Sequence, residues 1–433
     1  MNEHPMSSKY LDNYEKLFHS TEEEEFFKEV LDMEKNSEWI PDMKIKNFKL
    51  GVTESPLMAD AQAAEMGVDT DLLMDTIAHT GLKLSTCYDY SVEPNVSSLI
   101  EPDDESLENS FFKASEGGML VRPCAITTLY GVARIGGGAL NYMLKQHPRL
   151  LAETMNNIFR CSKTSALLLK RYGKLCAAHS NADGGYEIME ASKLINTVTD
   201  MIERRFGLRD FFTGYNSHSY TSAIWMLPEA QNQLQEKYAD ALDKAYVKSG
   251  IKSKFPVTYM PAIKFSTSDT GDACAKLEPM FFTGKSDVPI SFVEGAKVKH
   301  TKRSHGGSKN VGCDAFAEEA ETLFVRFEES ANVINNLASK IIKNGCNCCV
   351  SICKKLRIPK QYGEAAREEI EQLTCDGSYI SAHDLYLCMT DIIVEAQNKD
   401  VSQARLIELE EAISSIPKLN FAEHDVGGVV AWN

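Results

Sequence analysis

The sequence predicts an α+β protein with a central, mainly antiparallel sheet and helices, followed by an all-helical C-terminal part. Three observations carry that expectation. Residues 165–171 (SALLLKR) and 174–179 (KLCAAH) read as two strands around a tight Tyr172-Gly173 turn. Residues 211–227 and 255–293 are rich in β-branched and aromatic side chains and are broken by Gly214, Gly271 and Gly284. From residue 313 onward helical spacing of apolar residues dominates.

In chain order, residues 8–35 read as one acidic amphipathic helix. Leu11, Tyr14, Leu17 and Phe18 recur at helical spacing, and four glutamates at 22–25 precede Phe26, Phe27, Val30 and Leu31. The glutamate run fits a solvated face, or an acidic segment that covers a basic surface. The stretch EPNVSSLIEPDDESLEN (93–109) has linker chemistry and marks the first boundary. Residues 119–121 fit a short strand, and Pro123 suits the first turn of a helix reaching Ile135. Three glycines at 136–138 break that helix, 139–147 resumes it, and a further helix covers 150–160. After the hairpin, Leu194, Ile195, Val198 and Ile202 mark a helix over 190–206. The C-terminal helices are expected at 314–343, 347–357, 362–374, 381–397 and 402–415. The chain therefore divides into an acidic N-terminal region of helix and short strands (1–110), a basic α+β core (111–310) and a helical C-terminal domain (311–433).

Charge gives the most informative functional signal. Over 433 residues, 46 Lys and Arg face 62 Asp and Glu, for a net charge of -16. The average conceals a pattern. Residues 1–110 hold 8 basic and 25 acidic groups (-17), 111–310 hold 27 and 17 (+10), and 311–433 hold 11 and 20 (-9). With a screening length of about 8–10 Å at ordinary ionic strength, the local +10 governs a contact more than the distant total.

Between Gly118 and Lys174 stand nine cations and a single acid, Glu153. A second cluster lies in the loop-like AKVKHTKRSHGGSKN. Arg122, Lys163, Lys170, Arg171, Lys174, Lys297, Lys299, His300, Lys302 and Arg303 are the candidate phosphate contacts. Tyr130, Tyr142, Phe159 and Tyr172 are candidates for stacking on bases. The competing explanation is pairing of these cations with the acidic ends of the same or another chain.

Other chemistry is thinner. Residues 125–144 (AITTLYGVARIGGGALNYML) have the outline of a helix-turn-helix and equally of a plain helical hairpin. Their glycines follow a helix and match neither GxGxxG nor GxxxxGK[ST], so no cofactor is expected. Cys346, Cys348, Cys349 and Cys353 invite a metal reading. They lack paired CxxC knuckles, and buried free thiols explain the same spacing, so no metal is expected. FSTSDTG (265–271), His179 and His218 fit turn, capping or core roles, and an enzyme would need them to converge with a carboxylate. No GxSxG or HExxH occurs, and no catalytic residues are assigned. No apolar run reaches the ~18–20 residues of a membrane helix. The N-terminus lacks a signal-peptide pattern. The expected setting is cytoplasmic, with twelve reduced cysteines.

Several longer stretches together resemble an uncharacterised family of phage/plasmid-like proteins, a domain of unknown function carried on mobile elements of Gram-positive bacteria. They are LVRPCAITTLYGVARIGGGAL, TSALLLKRYGKLCAAHS, HSYTSAIWMLPE, KFSTSDTGDACAKLEPMFFTG, CKKLRIPKQYGEAA, SAHDLYLCMTDIIVEAQ and LNFAEHDVGGVVAW. The resemblance spans about residues 118–433. It implies a mobile-element protein and transfers no catalytic residue. The expected function is non-enzymatic binding of single-stranded DNA or RNA backbone through the basic centre. The alternatives are a protein-binding accessory or inhibitor acting through acidic helices, and an enzyme of unspecified reaction.

Overall fold

The computed structural model describes residues 14–52, 110–114, 117–136, 143, 147–180, 185–256, 258–271, 273–300, 312–399 and 401–432. Their fold is α+β with a mainly antiparallel sheet, as the sequence predicts. The expected linker at 93–109 lies outside the described residues, as does almost all of the helix expected over 139–147.

The larger lobe is built on six antiparallel strands. They are β1 (Glu15–His19), β8 (Asp210–Ser217), β9 (Thr221–Met226), β10 (Met260–Thr267), β11 (Ala275–Phe282) and β12 (Ala296–Val298), hydrogen-bonded in that order. Strand alternation sends Phe18, Ala223, Trp225, Ile263, Phe265, Leu277 and Phe281 into one hydrophobic cluster. Helix α1 (Glu23–Lys35) covers this face with Phe26, Val30 and Met33, spaced i, i+4, i+7 and all buried. Each such side chain contributes roughly 1.5–3 kcal/mol of burial. Trp225 Nε1 donates to Glu23 Oε1 at 2.8 Å, and Arg209 pairs with the same carboxylate, so a glutamate of the acidic run is tied into the lobe.

Here the structure departs from the expected helix over 8–35. Residues 15–19 form a strand, with Phe18 buried and Leu17 exposed on opposite faces. The cause is a partner two hundred positions away. β1 pairs with β8, Leu17 opposite Tyr215 and Phe18 opposite Gly214, and Phe26 packs where a Cβ on Gly214 would intrude at 2.7 Å.

Helices α4 (Ala191–Phe206) and α5 (Pro228–Ser249) follow. After them come α6 (Gly312–Glu321), α7 (Leu323–Ala338), α8 (Gly345–Lys355), α9 (Lys360–Leu373), α10 (Ala382–Met389), α11 (Asp391–Asn398) and α12 (Gln403–Ser414). Phe316, Phe327, Ile352, Tyr386 and Ile392 from these C-terminal helices join the same cluster as the sheet, which therefore runs across the expected division near residue 311. A two-stranded ribbon, β13 (Ile341–Ile342) with β14 (Ile380–Ser381), links α7 to α10.

The smaller lobe has its own core. Strands β2 (Ser37–Lys44), β6 (Ser165–Arg171) and β7 (Lys174–Ser180) form one sheet, and β3 (Lys49–Val52), β4 (Ser110–Ala114) and β5 (Gly117–Leu120) another. The expected hairpin is present, its turn made by Tyr172 and Gly173 at φ 48° and 78°. Helices α2 (Pro123–Ala133) and α3 (Pro148–Cys161) close the lobe over Met43, Ile45, Phe48, Leu129, Phe159 and Leu168. Asn156 acts as a strand surrogate. Its amide accepts from Leu50 N at 2.7 Å and donates to Leu50 O at 2.8 Å, fixing α3 across β3.

Candidate functional site

The fold assigns the candidate cations to three environments. Arg122 and Arg171 are buried, at 8% and 3% exposure, in the seam between the lobes. Arg171 is fully engaged there. Its Nε donates to Ser37 Oγ at 2.8 Å, one terminal nitrogen to His218 O at 2.7 Å, and the other to Asp269 Oδ2 at 2.7 Å. Removing one partner from such a pair leaves a buried charge, so this is a structural ion pair.

His300, also buried, belongs to a ring stack with Tyr186 and His179. The His179 and Tyr186 centroids are 3.7 Å apart and nearly parallel. Tyr186 Oη donates to Asp269 O at 2.8 Å, and His179 Nε2 donates to the same carbonyl at 3.1 Å. Tyr186 Oη then accepts from His300 Nδ1 at 3.2 Å, and Thr267 Oγ1 donates to His300 Nε2 at 3.1 Å. The seam thus gathers His179, His218 and Asp269, the groups an enzyme would need, but it uses the carboxylate to neutralise Arg171. Burial pushes His179 down to about 4. Burial and the Arg122, Arg171 and Lys174 cations push His218 down to about 2.

A second set sits in surface pairs. Lys170 faces Glu38 across the sheet at 3.5 Å, and Lys297 pairs with Glu294. The Glu294 carboxyl is held down at about 2 by hydrogen bonds from Lys297 and Lys418. Lys174 is half-buried and Lys299 exposed, while Lys302 and Arg303 lie outside the described residues. The two predicted basic stretches are therefore not one surface: Lys163, Lys170 and Lys174 are on the small lobe, whereas Lys297 and Lys299 are on and beside β12 of the large one.

The third environment is the outer end of the small lobe. Lys163 is exposed there and lines a cavity of about 340 Å³ with Arg134, Ile45, Ser162 and Thr164. Arg160 is exposed in the last turn of α3. Lys44, Lys46 and Lys49 are exposed on the 44–49 segment that α3 crosses, with Ile45 N donating to Thr164 O at 3.2 Å. The described part of this lobe (37–52, 110–114, 117–136 and 147–180) carries twelve basic residues against three acidic ones, a net of +9. Lys44, Lys46 and Lys49 were invisible as part of the site because the sequence places them in the acidic N-terminal region. Only pairing of β2 with β6 brings them beside 160–163.

The candidate stacking residues divide similarly. Phe159 is fully buried in the core and Tyr130 packs against it, while Tyr172 is exposed at the hairpin turn and Tyr142 lies outside the described residues. Cys348, Cys349 and Cys353 of α8 are core thiols, and Cys346 is partly buried against them. Burial, with the Asp425 charge, raises Cys348 to about 12, and Cys349 is held well above its ordinary value by its hydrogen bond to Cys353 and by burial. Among the described residues no group of three or more His, Cys, Asp or Glu is placed to hold a metal ion, and no helix is long and apolar enough to cross a membrane.

No family model, curated protein or solved structure matches the chain.

Proposed function

We propose that the chain binds the phosphate backbone of single-stranded DNA or RNA through the outer end of its small lobe. The observation that carries this reading is the concentration of Lys44, Lys46, Lys49, Arg134, Arg160 and Lys163 as exposed cations on one lobe of net +9. Phosphate contacts of this kind release condensed counterions, which makes binding salt-dependent and weakly sequence-selective. Cations near the C-termini of α2 and α3 also offset the helix dipoles, which accounts for Arg160 and in part for Arg134, but not for the lysines at 44–49. With Phe159 in the core, base stacking contributes little and backbone contacts dominate. A mobile-element setting, as the family resemblance implies, suits a protein that handles nucleic acid.

The internal use of the acidic helix argues against the protein-binding alternative. Glu23 holds Arg209, Glu29 holds Lys16, and Glu34 accepts from Ser192 N and Oγ at 2.8 and 2.6 Å. A fluorescence anisotropy titration with labelled single-stranded DNA, duplex DNA and single-stranded RNA at low salt tests the proposal. Binding that weakens steeply as salt rises supports it, and absence of binding to all three at low salt overturns it.

A further inference from the structure

The cavity at the outer end of the small lobe is apolar within and cationic at its edge. Ile45, Val132, Ala133 and Phe159 are buried and form its floor, with Ile158 half-buried beside them. Arg134 and Lys163 line it as exposed residues. Two helices end here, α2 at Ala133 and α3 at Cys161, and the last turns of both line the cavity. Last turns carry carbonyls without an intrahelical partner and the negative end of the helix dipole. Ser162 Oγ and Thr164 Oγ1 also line it, 3.1 Å apart. One of these hydroxyls donates to the other, so among the described residues one O–H of the pair remains to donate to a ligand.

That combination discriminates between the parts of a nucleic acid. A phosphate inside the cavity would lose its water against apolar walls and meet two helix C-termini, and both disfavour an anion. A nucleobase is flat and uncharged, apolar on its faces, with hydrogen-bond donors and acceptors along its edges. The helix carbonyls suit its donors and the spare hydroxyl suits an acceptor. The volume of about 340 Å³ lies at the low end of the roughly 300–1,000 Å³ of small-molecule sites, which is room for one heterocycle. The cations at the edge are placed for the phosphates that flank such a base.

We propose that this cavity receives one unpaired nucleobase of a bound single strand, while Arg134, Arg160 and Lys163 hold the phosphates on either side. The inference rests on the phosphate-backbone reading and adds to it a selection of single strands over duplex. Phosphate contacts supply most of the affinity and are open to both forms. Only an unpaired base enters the cavity without first leaving its pair and its stack. The base lies among aliphatic side chains, so entry needs no exposed aromatic platform.

Cys161 is exposed and lines the cavity, which makes it a native reporter, and the exposed Cys375, just beyond α9 on the large lobe, is the internal control. The intact chain is treated with limiting N-ethylmaleimide at low salt, and alkylation of each thiol is followed by mass spectrometry. The probes, each at saturation, are a short single-stranded DNA, an abasic deoxyribose-phosphate chain of the same length, and the corresponding duplex. The single strand should slow alkylation of Cys161 by roughly fivefold or more and leave Cys375 unchanged, while the abasic chain and the duplex bind and leave Cys161 close to its free rate. Ile158→Trp fills the cavity and should lower single-strand affinity to that of the abasic chain, with the salt slope unchanged. Equal protection of Cys161 by the single strand and by either other probe would overturn base entry and leave the phosphate reading standing. So would a bound single strand that does not protect Cys161 at all. Absence of binding by all three probes would overturn both.

Discussion

The outer end of the small lobe and the seam beneath it draw on the same residue types, and the fold places them in opposite environments. In the seam, Arg171 is stripped of water and must be matched, so Asp269, Ser37 and the His218 carbonyl satisfy its guanidinium. At the outer end, Lys44, Lys46, Arg160 and Lys163 are exposed and stay hydrated. Positive charge in a sequence is therefore two signals at once, and burial decides which one a residue carries.

The largest expected effect tests the seam. Asp269→Ala leaves Arg171 buried without its carboxylate and should cost about 3–5 kcal/mol in urea denaturation. A loss below about 1 kcal/mol would mean that water or another group matches the guanidinium. The histidines of the seam give the next effect. His179 and His218 titrate lower when folded than the ordinary 6.5, so the unfolded chain takes up protons first as pH falls. Stability should be full above about pH 6.5 and decline below it, by up to about 1.4 kcal/mol per pH unit for each histidine. Thermal unfolding across pH should show this slope, with His218→Asn reducing it. The smallest effect is expected at Lys297→Glu. Lys297 and Glu294 are both half-exposed, so their pair is well screened and the change should leave folding within about 0.5 kcal/mol. It should also leave oligonucleotide affinity nearly unchanged in a filter-binding titration.

How much of this was legible depended on sequence distance. The 165–180 hairpin was readable because its alternation and its Tyr172-Gly173 turn are local. The helix over 228–249 went unread although its signal is local, with Pro228 at its start and Leu234, Tyr238, Ala241, Leu242 and Ala245 buried along one face. Strand β1 was hidden because its partner lies two hundred residues away, and Leu17 and Phe18 fit a helical period equally well. The Arg171–Asp269 pair spans 98 positions, so no spacing rule could separate Arg171 from its exposed neighbours. The lysines at 44–49 were obscured in the same way, since their surroundings in sequence are acidic and their surroundings in space are basic.

The salt dependence of binding decides whether the outer end of the small lobe holds the phosphate contacts. Single-stranded oligonucleotide affinity is measured across a salt series for the native chain and for the variant with Lys44→Glu, Lys46→Glu, Arg160→Glu and Lys163→Glu together. The slope of log K against log salt should fall in magnitude by about 3 in the variant, four lost phosphate contacts at roughly 0.7 each. Its unfolding midpoint should stay close to native, because all four side chains are exposed. An unchanged slope in a folded variant would contradict the account and place the phosphate contacts elsewhere on the chain.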